Sequence, residues 1–226
     1  MGCGGSNTNA QHVTSTNNIT LHYFDIYARG EVIRIILHYH GTSFSDHRVQ
    51  QDKWPALKSS GLAEFGALPC LEIDGYKLVE SRAIARYLCR KFGYYPNDPK
   101  NAYLVESICD VKEGINNEVL PLLFKKDMDA LKKYSTEDMP WWLEKIENRL
   151  CQNQNGNGWF VGNSVSLADF ELFHFVHDSF LRNEIKGHYG HILTENAPKL
   201  KAWAHRFLAS SQGLMTYLET RPSRPL

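Results

Sequence analysis

The spacing of apolar residues changes once along this chain, near residue 95. Before that point, short strand-like runs alternate with single helical faces. ITLHYF, from Ile19 to Phe24, is apolar and rich in β-formers and predicts a strand. In EVIRIILHYHG, Val32, Ile33, Ile36 and Leu37 share one helical face, and Gly41 suits the C-terminal cap. FSDHRVQ is a second short strand candidate. PCLEIDGYKLVES carries the clearest local signal. Two apolar runs flank Asp74-Gly75, the pair preferred at a type I′ hairpin turn. Ser81 is placed to cap the next helix, whose Ile84, Leu88 and Phe92 share a face before Gly93 ends it. The order is therefore β-α-β followed by β-β-α.

GYYPNDP, from Gly93 to Pro99, breaks the pattern and reads as a linker. Beyond it the strand signal almost vanishes. Val105, Ile108, Cys109, Ile115, Val119 and Leu122 fit one long helix, and Leu143, Ile146 and Leu150 fit another. NQNGNG reads as a loop. VSLADFELFHFVHDSF reads as a helix with Ser166 and Asp169 in capping-box positions and Val165 and Phe170 as a hydrophobic staple. APKLKAWAHRFLAS is a further helix with Pro198 in its first turn. Residues 1–18 are polar, with Val13 the one aliphatic side chain larger than alanine between Asn7 and Asn18, and read as a flexible arm. The expected division is 1–18 arm, 19–93 α/β domain, 94–97 linker and 98–226 all-α domain.

Composition narrows the function. At about 150 residues per domain, 226 residues make between one and two domains. Lysine plus arginine and aspartate plus glutamate are 25 each, so the formal net charge is zero. That argues against general nucleic-acid binding, which needs a basic surface. No apolar run is long enough to span a membrane, and Met1–Asn18 has no apolar core of a secretory signal. Five widely spaced cysteines without a CxxC pair predict free thiols in a reducing, cytoplasmic compartment. Ten scattered histidines predict no metal site; His174, His177 and Asp178 are the nearest approach to a ligand set.

MGCGGS adds a second theme. Gly2 and Ser6 fit the myristoylation pattern, and Cys3 is placed for palmitoylation. One myristoyl chain binds membranes only marginally. The arm has no lysine or arginine, so Cys3 must supply the second signal. The expectation is attachment to a cytoplasmic membrane face through acyl chains, with the polar arm as spacer.

Five stretches together resemble one family: YFDIYARGEVIR, DHRVQQDKWPALKSS, FGALPCLEIDG, ESRAIARYL and GNSVSLADF. The chain resembles the cytosolic glutathione transferases over residues 19–220. It is most like the sigma class and similar within it to the haematopoietic prostaglandin D synthase. The resemblance implies a thioredoxin-like α/β domain followed by an all-α domain, the order that the apolar pattern reaches on its own. It implies conjugation of the glutathione thiolate to a hydrophobic electrophile, with glutathione as co-substrate and a homodimeric assembly. Tyr23 is then the catalytic tyrosine and Arg29 the cation beside it. A cysteine thiol ionises near pH 8.5, and lowering that by about two units takes about 2.7 kcal/mol of preferential thiolate stabilisation. A phenol O–H donated to the sulfur, with a nearby cation, is suited to that task.

The remaining glutathione contacts follow from the same resemblance. Leu68, before a cis Pro69, pairs its backbone with the cysteinyl unit, as an added strand would. Glu80 and Ser81 take the zwitterionic γ-glutamyl end, where a helix N-terminus favours the carboxylate. Trp54 and Lys58 reach the glycyl end. Ala67 is a further glutathione-binding position by the same resemblance; it stands where sigma relatives commonly carry lysine or glutamine, so a side-chain contact near the glycyl end is in question. Tyr27 replaces an arginine, and the SSGLAEFG segment is two residues longer than in the prostaglandin synthase. Asp110 and Glu113 are candidates to reach the glutathione amine across a dimer, although Gly114 aligns with one such acidic position. Glu171 and Phe175 replace a tyrosine and a cysteine of the synthase pocket, and its tryptophan near Pro121 is missing. The prostaglandin activity is therefore not carried over from the resemblance. The alternatives are a glutathione-dependent isomerase or peroxidase, or a non-catalytic ligand-binding member of the fold. Tyr23 and Arg29 argue against the last. A cysteine-based thiol oxidoreductase is excluded because no cysteine lies between Cys3 and Cys70.

Overall fold

A computed structural model describes residues 18–224. The acylation positions Gly2 and Cys3, and the arm to residue 17, lie outside them. The first unit runs β1 (Thr20–Phe24), α1 (Ala28–His40), β2 (Ser45–Val49), α2 (Trp54–Ser59), β3 (Cys70–Ile73), β4 (Tyr76–Val79) and α3 (Ser81–Lys91). The second runs α4 (Pro99–Lys125), α5 (Met128–Cys151), α6 (Leu167–Val176), α7 (Asn183–Asn196), α8 (Pro198–Ala209) and α9 (Gln212–Thr220).

The four strands lie in the order β2-β1-β3-β4. β1 and β2 are parallel, so the chain crosses over through α1; the other neighbours are antiparallel. Asp74 and Gly75 have φ of 53° and 79°, as a type I′ turn requires, and join β3 to β4. The fold is thus a thioredoxin-like α/β domain followed by a helical domain.

α1 is buried along Gly30–Leu37, including Glu31 and Arg34. The apolar pattern shows only one of its faces. The other faces are covered because α1 packs on α3 on one side and on α6 and α9 of the helical domain on the other. The linker is packed as well. The Tyr94 carbonyl accepts the Leu167 N–H at 3.0 Å, and the Tyr94 ring lies 5.1 Å from Phe170.

The capping box forms as expected. Asp169 accepts from the Ser166 N–H and hydroxyl at 2.9 and 2.8 Å, and also from the Phe160 N–H and the Trp203 indole. Several elements depart from the sequence reading. Glu80, not Ser81, occupies the cap of α3, and no side chain caps it. The α6 helix stops at Val176 and continues as a wider π turn over His177–Leu181. α5 starts at Met128 and runs through Pro140, where a helical reading stops. α2, α7 and α9 were not marked by the apolar pattern; α2 buries no residue in its six.

Candidate functional site

The strand register gathers the sequence-derived candidates at one end of the sheet. His22 on β1 stands opposite Cys70 on β3, and Cys70 opposite Val79 on β4. One step further along each strand lie Tyr23, Pro69 and Glu80, with Ser81 opening α3. Phe24 pairs with Val49, the last residue of β2, which leads into α2 and Trp54. The Phe24 and Trp54 rings meet edge-on at 5.6 Å. Trp54 and Leu68 share a small cluster around Leu62, Ala63 and Cys70. The Leu68–Pro69 peptide is cis. Lys58 passes close over Gly66: a Cβ there would meet its Cε at 2.9 Å. The exposed Ala67 lies between that glycine and Leu68. Glu80 and Ser81 complete the edge. Glu80 has φ 67°, an uncommon conformation outside glycine and one that recurs at ligand sites. Ser81 is buried, and the first N–H groups of α3 have no intrahelical acceptors.

Tyr23 is 5% exposed. Its oxygen accepts the Arg29 backbone N–H at 3.2 Å, at the start of α1. Burial raises the phenol above its ordinary value, against the opposing pull of that N–H and of the Arg34 and Arg29 charges. The group is therefore a protonated donor at neutral pH. With one lone pair engaged by Arg29, its proton is free to point at an acceptor beyond the sheet edge. Gly30 makes this placement sterically feasible: a Cβ there would lie 2.4 Å from Tyr23 Cδ1. Sequence reasoning missed Gly30, whose requirement shows only once the ring is in place.

The Arg29 guanidinium is paired with α4. Its Nη2 lies 2.7 Å from Glu113 on α4, and although burial opposes it, this pairing holds Glu113 below the usual carboxylate range. Asp110, the other acidic candidate on α4, is engaged by Arg82. Arg29 also lines a cavity of about 110 Å³ between the start of α1, α4, α5 and α6. Ile115, Val119, Leu123, Met139 and Phe175 make it mainly apolar. Lys112, His174 and Asp178 add polar groups to the wall. Lys112 pairs with Glu171 at 2.8 Å, both nearly buried. Burial, then the Lys112 charge, pushes His174 down to about 4, so it is neutral. The geometry offers a buried O–H donor beside an apolar cavity, next to a strand edge and a helix N-terminus open to a peptide-like ligand.

Comparison with known proteins finds relatives along most of the chain. The family described as glutathione S-transferase, N-terminal domain matches residues 19–90, and the corresponding C-terminal domain matches residues 113–221. A probable glutathione S-transferase of Caenorhabditis elegans is 34% identical over 212 residues, covering 90% of this chain and 96% of its own. The haematopoietic prostaglandin D synthase of Homo sapiens is 34% identical over 68% of this chain and 75% of its own. The crystal structure of a monomeric glutathione S-transferase from Necator americanus superposes with a TM-score of 0.77 at 32% identity, covering 92% of this chain and all of that one.

Proposed function

The chain belongs to the glutathione S-transferase family, and from that premise we propose the roles of the residues at its sheet edge. It is a glutathione transferase, with glutathione as co-substrate. In our reading, the cysteinyl backbone pairs with Leu68 beside cis Pro69. The γ-glutamyl end sits at Glu80 and Ser81, and the glycyl end at Trp54 and Lys58. Tyr23 donates its O–H to the sulfur and Arg29 supports the site by its N–H and charge. The thiol proton leaves to solvent, the thiolate attacks the electrophile, a carbon–sulfur bond forms, and the leaving group departs with its electron pair. The carrying observation is the buried, protonated Tyr23 at the same sheet end as Pro69 and Ser81. An assay of glutathione addition to a halogenated aromatic tests it together with Ser81→Ala. Loss of one hydroxyl bond to a charged ligand should cost about 1.5–3 kcal/mol of glutathione affinity. A dissociation constant within twofold of wild type would count against the assignment.

The resemblance to a prostaglandin synthase favours a second reading, isomerase or peroxidase chemistry with the same thiolate. The buried Lys112–Glu171 pair beside the cavity weighs against its lipid substrate. A panel adding a lipid hydroperoxide and a prostaglandin endoperoxide separates the two. We also take residues 94–97 as the boundary between domains, and the assembly as a homodimer, as is common in the family. No helix among the described residues is long and apolar enough to cross a membrane. Acylation at Gly2 and Cys3 is proposed from the MGCGGS motif alone. In eukaryotic cells the protein should then pellet with membranes, and Gly2→Ala should not. An unacylated N-terminus by mass spectrometry would end that proposal.

A further inference from the structure

The residues after α9 hold the loop between Tyr23 and Arg29. The Arg221 side chain is 4% exposed and bridges two carboxylates from different helices. Its Nη1 lies 2.5 Å from Glu31 on α1, and its Nη2 lies 2.5 Å from Asp178 in the turn after α6. The guanidinium also lies over the Tyr27 ring, 4.0 Å from its centre. Tyr27 donates its hydroxyl to the Pro222 carbonyl at 2.5 Å, and Arg224 pairs with Asp25 at 2.9 Å. Asp25 and Tyr27 both belong to the β1–α1 loop. Among the described residues, other polar groups near Arg221 include His177, 3.3 Å from Nη2, Tyr217, whose hydroxyl donates to Glu31 at 2.8 Å, and His174, which shares Asp178. From beneath, Arg34 donates to the Ile26 carbonyl at 3.1 Å and to Glu31 at 3.0 Å. The loop is therefore gripped from within α1 and from the C-terminal segment.

We propose that Arg221 is a positioning residue for the thiolate chemistry, acting through Tyr27 and Glu31 to keep the Arg29 N–H on the Tyr23 oxygen. This inference rests on the reading of Tyr23 as the thiolate donor. A buried ion pair adds little stability over apolar packing, and in some proteins its role is to set how its elements meet. Here those elements are α1, the turn after α6 and the C-terminal segment. The Arg29 N–H occupies one lone pair of the phenol and so directs its proton outward. If the grip is lost, the first turn of α1 relaxes and the O–H···S geometry loosens. The contacts at Leu68, Glu80 and Ser81 lie on other elements and stay in place. The effect therefore falls on turnover and thiol ionisation, with little on glutathione binding.

A double-mutant cycle of Arg221→Ala with Tyr23→Phe, in the full chain, tests this. Three quantities are read: kcat, KM for glutathione, and the ionisation of bound glutathione from the ultraviolet absorbance of its thiolate. Arg221→Ala should lower kcat about tenfold and raise the thiol pKa by about one unit, with KM changed less than about threefold. Arg221→Lys should recover part of the loss, and Tyr27→Phe should shift both quantities the same way by a factor of about two. In the Tyr23→Phe background, Arg221→Ala should change kcat by less than about twofold, because it acts through the missing hydroxyl. Equal fold-losses in both backgrounds, or an unmoved thiol pKa, would overturn the inference and leave the Tyr23 assignment standing. A Tyr23→Phe enzyme with wild-type kcat and thiol pKa would overturn the Tyr23 assignment instead. If Arg221→Ala does not fold, Tyr27→Phe in both backgrounds carries the same comparison.

Discussion

Tyr23 is buried against a residue that has no side chain. Gly30 lets the ring lie on the first turn of α1, since a Cβ would stand 2.4 Å from Cδ1. We predict that Gly30→Ala displaces the ring, leaves the fold intact and lowers kcat at least about tenfold, as misplacement of catalytic groups does. Wild-type turnover would contradict the packing argument. His174 makes a second prediction at this scale. Its folded value, lowered to about 4, lies below the ordinary 6.5, and its Nδ1 finds no hydrogen-bond partner among the described residues. Between those values the unfolded chain binds a proton that the folded chain does not. Stability therefore falls as pH drops through that window and the loss is complete near the lower value. From His174 alone, urea unfolding should show about 2 kcal/mol less stability at pH 5 than at pH 7. In His174→Gln that difference should shrink by most of this amount. An unchanged pH dependence would mean the histidine is not buried neutral.

Among the elements, α6 shows what a sequence discloses about a helix. Ser166 and Asp169 are spaced for a capping box, and the box forms. Its wider role is not legible, because the Trp203 indole and the Phe160 N–H that Asp169 also accepts are brought in by packing. Asp169→Ala would strand buried donors from three segments. We predict a loss of at least about 3 kcal/mol in chemical denaturation, and a loss below about 1 kcal/mol would refute its role as a hub. α1 illustrates the opposite case. Its apolar residues mark a helix, but the face they define leaves Glu31 and Arg34 unassigned. Both are fully buried, because α6 and α9 cover that face and Asp46 and Arg221 pair with their charges. α2, α7 and α9 carry no clear period: α2 buries nothing, and α7 contains two glycines in a polar stretch. α7 packs on α5 and α8, and α9 packs on α1 and α8, contacts that no local pattern announces.

For the whole molecule, the site was legible where it is local and hidden where it is assembled. Tyr23, Leu68-Pro69 and Glu80-Ser81 sit in contiguous stretches that carry the family resemblance, and the strand register then brings them to one end of the sheet. The cavity wall and the C-terminal grip join residues far apart in the chain, such as Lys112 with Glu171, 59 positions away. No local pattern announces such pairs. The proposed dimer belongs to this scale too: light scattering at micromolar concentration should give twice the 25.9 kDa chain mass. A monomer would refute the dimer without touching the site, and one relative of known structure is described as monomeric. On the proposed assignment, the fold holds a protonated phenol against the glutathione thiolate. The most direct test is the pKa of bound glutathione in wild type and Tyr23→Phe, read from thiolate absorbance against pH. The account predicts a wild-type value about two units below the free thiol, most of which Tyr23→Phe loses while still binding glutathione. Equal values in the two proteins would contradict it.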